Sequence, residues 1–160
     1  MHAVMRIFGF VMVLAAFGLS IELAAQASDP TAGTWKLNLA KSKYNPGPPP
    51  KSLILKIETS TRGRKVSTDG VGADGKPTRT EYTANFDGKD YPIKGAPDVD
   101  MVALKRIDES TIERTGKKGG RVVQTITLVV SKDGKTLTGT FKGTNAQGQA
   151  YNNVVLWERQ

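Results

Sequence analysis

Three Asp-Gly-Lys triplets, Asp74-Gly75-Lys76, Asp87-Gly88-Lys89 and Asp133-Gly134-Lys135, stand between stretches in which apolar and polar residues alternate. Asp-Gly suits the two positive-φ positions of a tight hairpin turn, and alternation at period two marks a half-buried strand. The triplets therefore predict a chain that folds back on itself as antiparallel sheet.

Extending this reading predicts strands over residues 34–39, 52–61, 65–73, 78–86, 91–94, 101–107, 111–116, 121–131, 135–142 and 149–159. Trp35, Leu37 and Leu39 share one face of the first; Leu53, Leu55 and Ile57 alternate with Lys56 and Glu58 in the second. Asn45-Pro46-Gly47-Pro48-Pro49-Pro50 keeps the connector 40–51 out of a helix or a central strand. Gly70 and Gly72, two apart in the third strand, predict a bulge or sharp bend. Residues 28–32 read as a short tail. The fold class is all-β, with no substantial helix after residue 27.

Every connection is short, which favours an up-and-down meander over a Greek key. A meander of about ten strands, eight at the fewest, leaves two exposed edges unless its first and last strands pair, and closure into a barrel removes both. Alternate turns of a meander share an end. The proline connector, Asp74-Gly75, Gly95 to Asp98, Lys117 to Gly120 and Asn145 to Gly148 fall together at an irregular end, the natural mouth. Arg62 to Arg64, Asp87-Gly88, Asp108 to Ser110 and Asp133-Gly134 share the other end with the start of the first strand and the finish of the last. Trp35 and Arg159 are thereby expected to meet at the floor.

Residues 1–27 read as a signal peptide. Arg6 is a basic n-region, Ile7 to Leu19 is almost wholly apolar, and Ala25-Gln26-Ala27 is a small-x-small cleavage site. The apolar run is shorter than the ~20 residues a spanning helix needs. Residues 28–160 are then one domain in a secreted or periplasmic compartment. The single histidine, His2, lies in the leader and there is no cysteine, which excludes a His base, a Cys nucleophile, a Ser-His-Asp relay and a Cys/His zinc site. No cofactor or metal is expected. Paired acids such as Asp98 with Asp100, or Glu81 with Glu113, would serve hydrolase chemistry only by facing each other across a cleft, and a non-enzyme is the reading preferred over a carboxylate-only hydrolase. The net charge of +8 points to an anionic envelope component or a protein partner as the alternative function, with Arg62, Arg64, Lys65, Lys117, Lys118 and Arg121 as the densest basic groups. An exported chain without a stacking motif gives no reason to expect nucleic acid.

Gly33-Thr34-Trp35, followed by Lys36-Leu37, resembles the Gly-x-Trp signature of the calycins, which include lipocalins, fatty-acid-binding proteins and avidin-like barrels. Val155-Leu156-Trp157-Glu158-Arg159 is similar to the last strand of those barrels, where a basic residue packs across the tryptophan. The Gly33 to Asn38 opening, with the Lys41-Ser42-Lys43-Tyr44 and proline segment after it, also resembles uncharacterised secreted bacterial proteins. The calycin resemblance implies a barrel with Gly33, Trp35 and Arg159 as structural floor and a small, largely apolar ligand inside. By alternation its lining is expected from Leu37, Leu55, Tyr82, Phe86, Met101, Ile126, Leu128, Phe141, Tyr151 and Val155. Fatty-acid-binding proteins hold the ligand carboxylate with an arginine and a tyrosine two apart on the last strand. The matching positions here are Val155 and Trp157, and the proline connector replaces the helical lid, so a neutral or weakly polar ligand is expected. Ligand identity and oligomeric state are not expressed in the sequence.

Overall fold

The computed structural model describes residues 29–60, 62–145 and 147–160. The expected leader, residues 1–27, lies outside them. Ten strands form one closed antiparallel barrel: β1 Gly33–Leu37, β2 Ser52–Thr59, β3 Gly63–Val71, β4 Pro77–Asn85, β5 Tyr91–Lys94, β6 Met101–Arg106, β7 Thr111–Lys118, β8 Arg121–Val130, β9 Thr136–Thr144 and β10 Ala150–Arg159. Each strand pairs with its sequence neighbours, and β1 pairs with β10 in the register Trp35 opposite Arg159. The meander is thus sealed by its own termini and leaves no strand edge open.

The hydrophobic alternation places the core. Leu55 and Ile57 on β2, Tyr82 and Ala84 on β4, Val102 and Leu104 on β6, Ile126, Leu128 and Val130 on β8, and Val155 and Trp157 on β10 all point inward and are buried. Intervening residues such as Lys56, Thr83 and Lys105 face water.

Local details depart from the sequence reading in four places. The hairpin turns do not use positive φ at aspartate, since among the described residues only glycines adopt it. Gly75 N–H donates to the Gly72 carbonyl and Gly134 N–H to the Ser131 carbonyl, closing four-residue turns whose last residue alone is left-handed, at φ +84° and +68°. Aspartate serves instead as an acceptor: Asp74, Asp87 and Asp133 each take a hydrogen bond through Oδ1 from the N–H of the lysine two residues on, at 3.0 Å. The Asp-Gly-Lys order is therefore a side-chain-stabilised turn rather than a two-residue one.

The first strand stops at Leu37. Asn38 Oδ1 then accepts from Lys41 N–H across a short 3-10 turn, Leu39–Lys41, which leaves Leu39 exposed instead of beside Trp35 and Leu37. Beyond that turn the connector rejoins the sheet: Lys43 and Val154 exchange both backbone hydrogen bonds, and Asn152 N–H donates to the Asn45 carbonyl. The bulge expected at Gly70 is absent, as β3 runs in unbroken register with both β2 and β4, and Gly72 lies beyond β3 in the turn to β4. The described irregularity lies between Gly116 and Lys117, where β7 meets β8.

The fourth departure is the supposed tail. Asp29 and Thr31 are buried, and Thr31 joins the floor as described below. A segment that supplies buried acceptors is part of the fold.

Two stability tests follow. Gly33 has φ +134°, and a Cβ there would stand 2.5 Å from Arg159 Nη1. Gly33→Ala is expected to lower unfolding free energy by about 2 kcal/mol, whereas Leu39→Ala at an exposed site changes it by less than about 0.5 kcal/mol, both read by urea unfolding. The turns give a pH test. The Ser131 hydroxyl and Lys135 N–H hold the Asp133 carboxyl below its ordinary pKa, and the Lys89 N–H does the same for Asp87. Groups whose folded pKa is depressed contribute stability that is present above the unfolded value of ~4 and lost as pH falls through the folded value. The urea midpoint should therefore fall on acidification, and the fall should be smaller in the Asp87→Asn/Asp133→Asn variant.

Candidate functional site

The floor is built around Trp35, which has no exposed surface. Its indole N–H donates to the Thr31 carbonyl at 2.8 Å, and the Arg159 guanidinium lies 4.1 Å from the ring centroid. Arg159 also donates from Nη2 to the Pro30 carbonyl, from Nη1 to the Ala32 carbonyl and from Nε to the Gly134 carbonyl, at 2.7, 2.6 and 2.6 Å. One side chain thus binds the incoming segment, the last strand and the β8–β9 turn. Arg106 stacks on Phe86 at 4.5 Å and lies 3.5 Å from the buried Asp29 carboxylate.

Above this floor the barrel holds a cavity of about 300 Å³. Its wall is mainly apolar, with Leu55, Val66, Tyr82, Ile126, Leu128 and Phe141 around the sides, and it reaches the loop Ala96–Val99 at the expected mouth. A second cavity of about 300 Å³ adjoins it under the proline connector, shares Asp98, Val99, Gln124 and Phe141, and adds Pro46, Val123 and Tyr151. The volume of the first lies at the lower end of the range for small-molecule sites, about 300–1,000 Å³.

Of the expected lining residues, the structure places Leu55, Tyr82, Ile126, Leu128 and Phe141 on the main cavity and Tyr151 on the adjoining one. Leu37 and Val155 are buried in solid packing away from both. Phe86 lies against the guanidinium groups of Arg64 and Arg106, at 5.9 and 4.5 Å from its ring centroid, and lines neither cavity. Met101 is a correction: β6 turns Val102 and Leu104 inward, so Met101 is left on the outer face. The carboxylate pairs do not assemble either. Glu81 faces outward beside Lys65 and Arg79, and Glu113 lies on the outward-facing side of β7. Asp98 is exposed at the mouth, while Asp100 accepts the Gly119 N–H at 2.9 Å. Among the described residues no group of three or more acidic, histidine or cysteine side chains is arranged to hold a metal.

Two arginines that sequence reading left outside the site are inside it. Arg64 precedes Val66 and Thr68 on the inward face of β3 and has no exposed surface; Arg114 shares the inward face of β7 with Ile112 and Gly116. Both line the cavity, and no carboxylate lies within ion-pair distance of either among the described residues. Arg64 Nη1 donates to Thr31 Oγ1 at 3.2 Å. Arg114 Nη2 donates to Gln124 Oε1, and Gln124 Nε2 donates to Tyr151 Oη at 2.7 Å, so a hydrogen-bonded chain crosses from β7 to β10. Gly143 makes that chain possible, because a Cβ there would stand 2.7 Å from Tyr151 Oη. Desolvation by burial pushes the Arg114 pKa down; the neighbouring Tyr82 opposes the shift and the like charge of Arg64 adds to it. The signal for both arginines was their parity with buried residues, but short basic clusters resemble solvated surface.

No family model and no curated protein matches the chain. Among solved structures, a redesigned β-barrel aligns at 15% identity and a TM-score of 0.48, over 84% of this chain and 96% of its own. Lobster apocrustacyanin aligns at 12% identity and a TM-score of 0.45, over 83% of this chain and 62% of its own. The protein EF1p2_mFAP2b, bound to DFHBI, aligns at 14% identity and a TM-score of 0.44, over 84% of this chain and 98% of its own. The barrel assignment itself rests on the strand register described above.

A buried cation without a counter-ion carries an uncompensated desolvation cost, which an apolar side chain of similar volume removes. Arg114→Met is therefore expected to raise unfolding stability by about 1 kcal/mol or more. Loss of several kcal/mol in urea unfolding would instead identify the guanidinium as a structural element of the core.

Proposed function

We propose that this chain is a secreted or periplasmic barrel of calycin type that holds a small, largely apolar molecule in its interior. The observation that carries the reading is the unfilled interior. A cavity of about 300 Å³ with a mainly apolar wall is about twice the ~150 Å³ that admits a benzene-sized molecule. Protein interiors pack to the density of organic crystals, so a void of this size in a domain so small is a feature of the site rather than slack. The leader-like residues 1–27 support export, and the Gly33, Trp35 and Arg159 floor supports the calycin comparison.

The cationic-surface alternative finds less support. Arg62 and Lys65 belong to the floor end and Lys117, Lys118 and Arg121 to the mouth end, while Arg64 is buried. Lys117 pairs with Asp90 at 2.8 Å and Lys118 donates to the Pro97 carbonyl at 2.9 Å. The six residues therefore do not form one face.

Titration of the mature protein with the neutral fluorophore N-phenyl-1-naphthylamine tests the interior site. A fluorescence rise that is nearly independent of salt, and that weakens about tenfold or more in the cavity-filling variant Val66→Trp, is the expected result. Absence of binding, or binding that collapses with ionic strength, would favour surface contacts.

A further inference from the structure

The polar atoms left without partners in the cavity wall are all donors. Among the described residues, the buried side-chain atoms of the cavity lining that lack a hydrogen bond are Arg64 Nε, Arg64 Nη2, Arg114 Nε and Trp157 Nε1. No orphaned acceptor accompanies them in the lining. The one carboxylate there, Asp98, is exposed at the mouth, away from the deep end where Arg64 approaches Thr31 and the floor. Arg64 is linked to the buried Asp29 carboxylate through Thr31 Oγ1, which donates to Asp29 and accepts from Arg64, whereas Arg114 has no such link; water could satisfy its donor but cannot neutralise a guanidinium beside the like charge of Arg64 in an apolar enclosure.

We propose that the interior ligand carries a single carboxylate held midway along the barrel by Arg114, with Arg64 on its floor side, while its apolar body extends toward the mouth. This rests on the interior-binding reading above and specifies the ligand's head group. Arg114 is the direct contact, because it retains accessible surface while lining the cavity; Arg64, fully buried on the floor side of the same wall, adds a fixed positive charge. The Gln124–Tyr151 chain holds Arg114 by Nη2 and so orients its fork before a ligand arrives. The Tyr82 ring, 5.7 Å from Arg114 Cζ, covers one side of the cation. The apolar path is offered by Val66, Ile93, Val99, Ile126 and Phe141. The arrangement differs from a last-strand clamp: β10 supplies Val155 and Trp157, and the cations come from β3 and β7. Expectation of a neutral ligand followed from the last strand alone.

Decanoate and decanol, which share an apolar chain and differ in charge, separate the possibilities when each displaces N-phenyl-1-naphthylamine from the full protein well above the carboxylate pKa. Wild-type protein is expected to prefer decanoate by about tenfold or more. The ratio should fall to near one in Arg114→Met and recover in part in Arg114→Lys, which keeps the charge but not the fork. Equal affinity for the two probes in wild-type protein would overturn the head-group assignment while leaving the interior site intact. A preference that persists in both Arg114→Met and Arg64→Met would overturn the assignment to these arginines. Failure of both probes to displace the fluorophore would overturn this inference and count against the interior reading as well. The wild-type comparison stands without any variant, so a misfolded substitution does not blunt the test.

Discussion

The pairing of β1 with β10 is the constraint on which the barrel depends. Nine strand pairs are joined through hairpins or short connections, but this one joins the two ends of the described chain and therefore carries the largest loop-closure entropy. The floor meets that cost with several contacts at one place. Trp35 is completely buried, and an aromatic of its size removes about 200 Å² from water, an upper bound of about 5 kcal/mol. Arg159 then ties together three carbonyls that have no strand partner of their own, across the opening segment and the β8–β9 turn.

Closing the floor this firmly has a consequence at the other end. A ten-strand circumference is wider than its inward side chains fill, and glycine at Gly116, Gly139 and Gly143 lowers the side-chain volume those positions contribute. Side chains are buried near Trp35, Leu37 and Leu137, and the interior opens toward the Ala96–Val99 loop. The cavity thus lies between a rigid base and a mouth made from the longer connections. Rigid elements also carry its polar groups, since Arg64, Arg114, Gln124 and Tyr151 all stand on strands. Such placement keeps a guanidinium in position without a carboxylate beside it.

Much of this architecture was legible because period-two alternation and turn chemistry are local. The strand from 101 to 107 was read within a residue or two of β6, and even the four-residue β5 was visible from the turns around it. Meander parity alone brought Trp35 to Arg159. Side-chain direction was less secure where the start of a strand set the parity: Met101 looks like a lining residue by composition, yet Val102 and Leu104 occupy the inner face. The opening segment was misread as a tail because Asp29 and Thr31 are polar, and their burial depends on Arg106, Arg64 and Trp35 arriving from distant strands.

The sequence by itself determined the all-β class, the strand order and the floor, because hydrophobic period, turn residues and the sum of short connections are properties of neighbouring residues. Tertiary structure decided what the interior contains. Whether Arg64 and Arg114 meet solvent or a cavity depends on register across β2 to β8, and whether they find a carboxylate depends on side chains more than ten residues away. Electrostatic environment is set by everything packed around a charge, so a basic cluster in the sequence became, in the fold, one exposed pair of ends and a cavity lining whose unpartnered polar atoms, among the described residues, are donors.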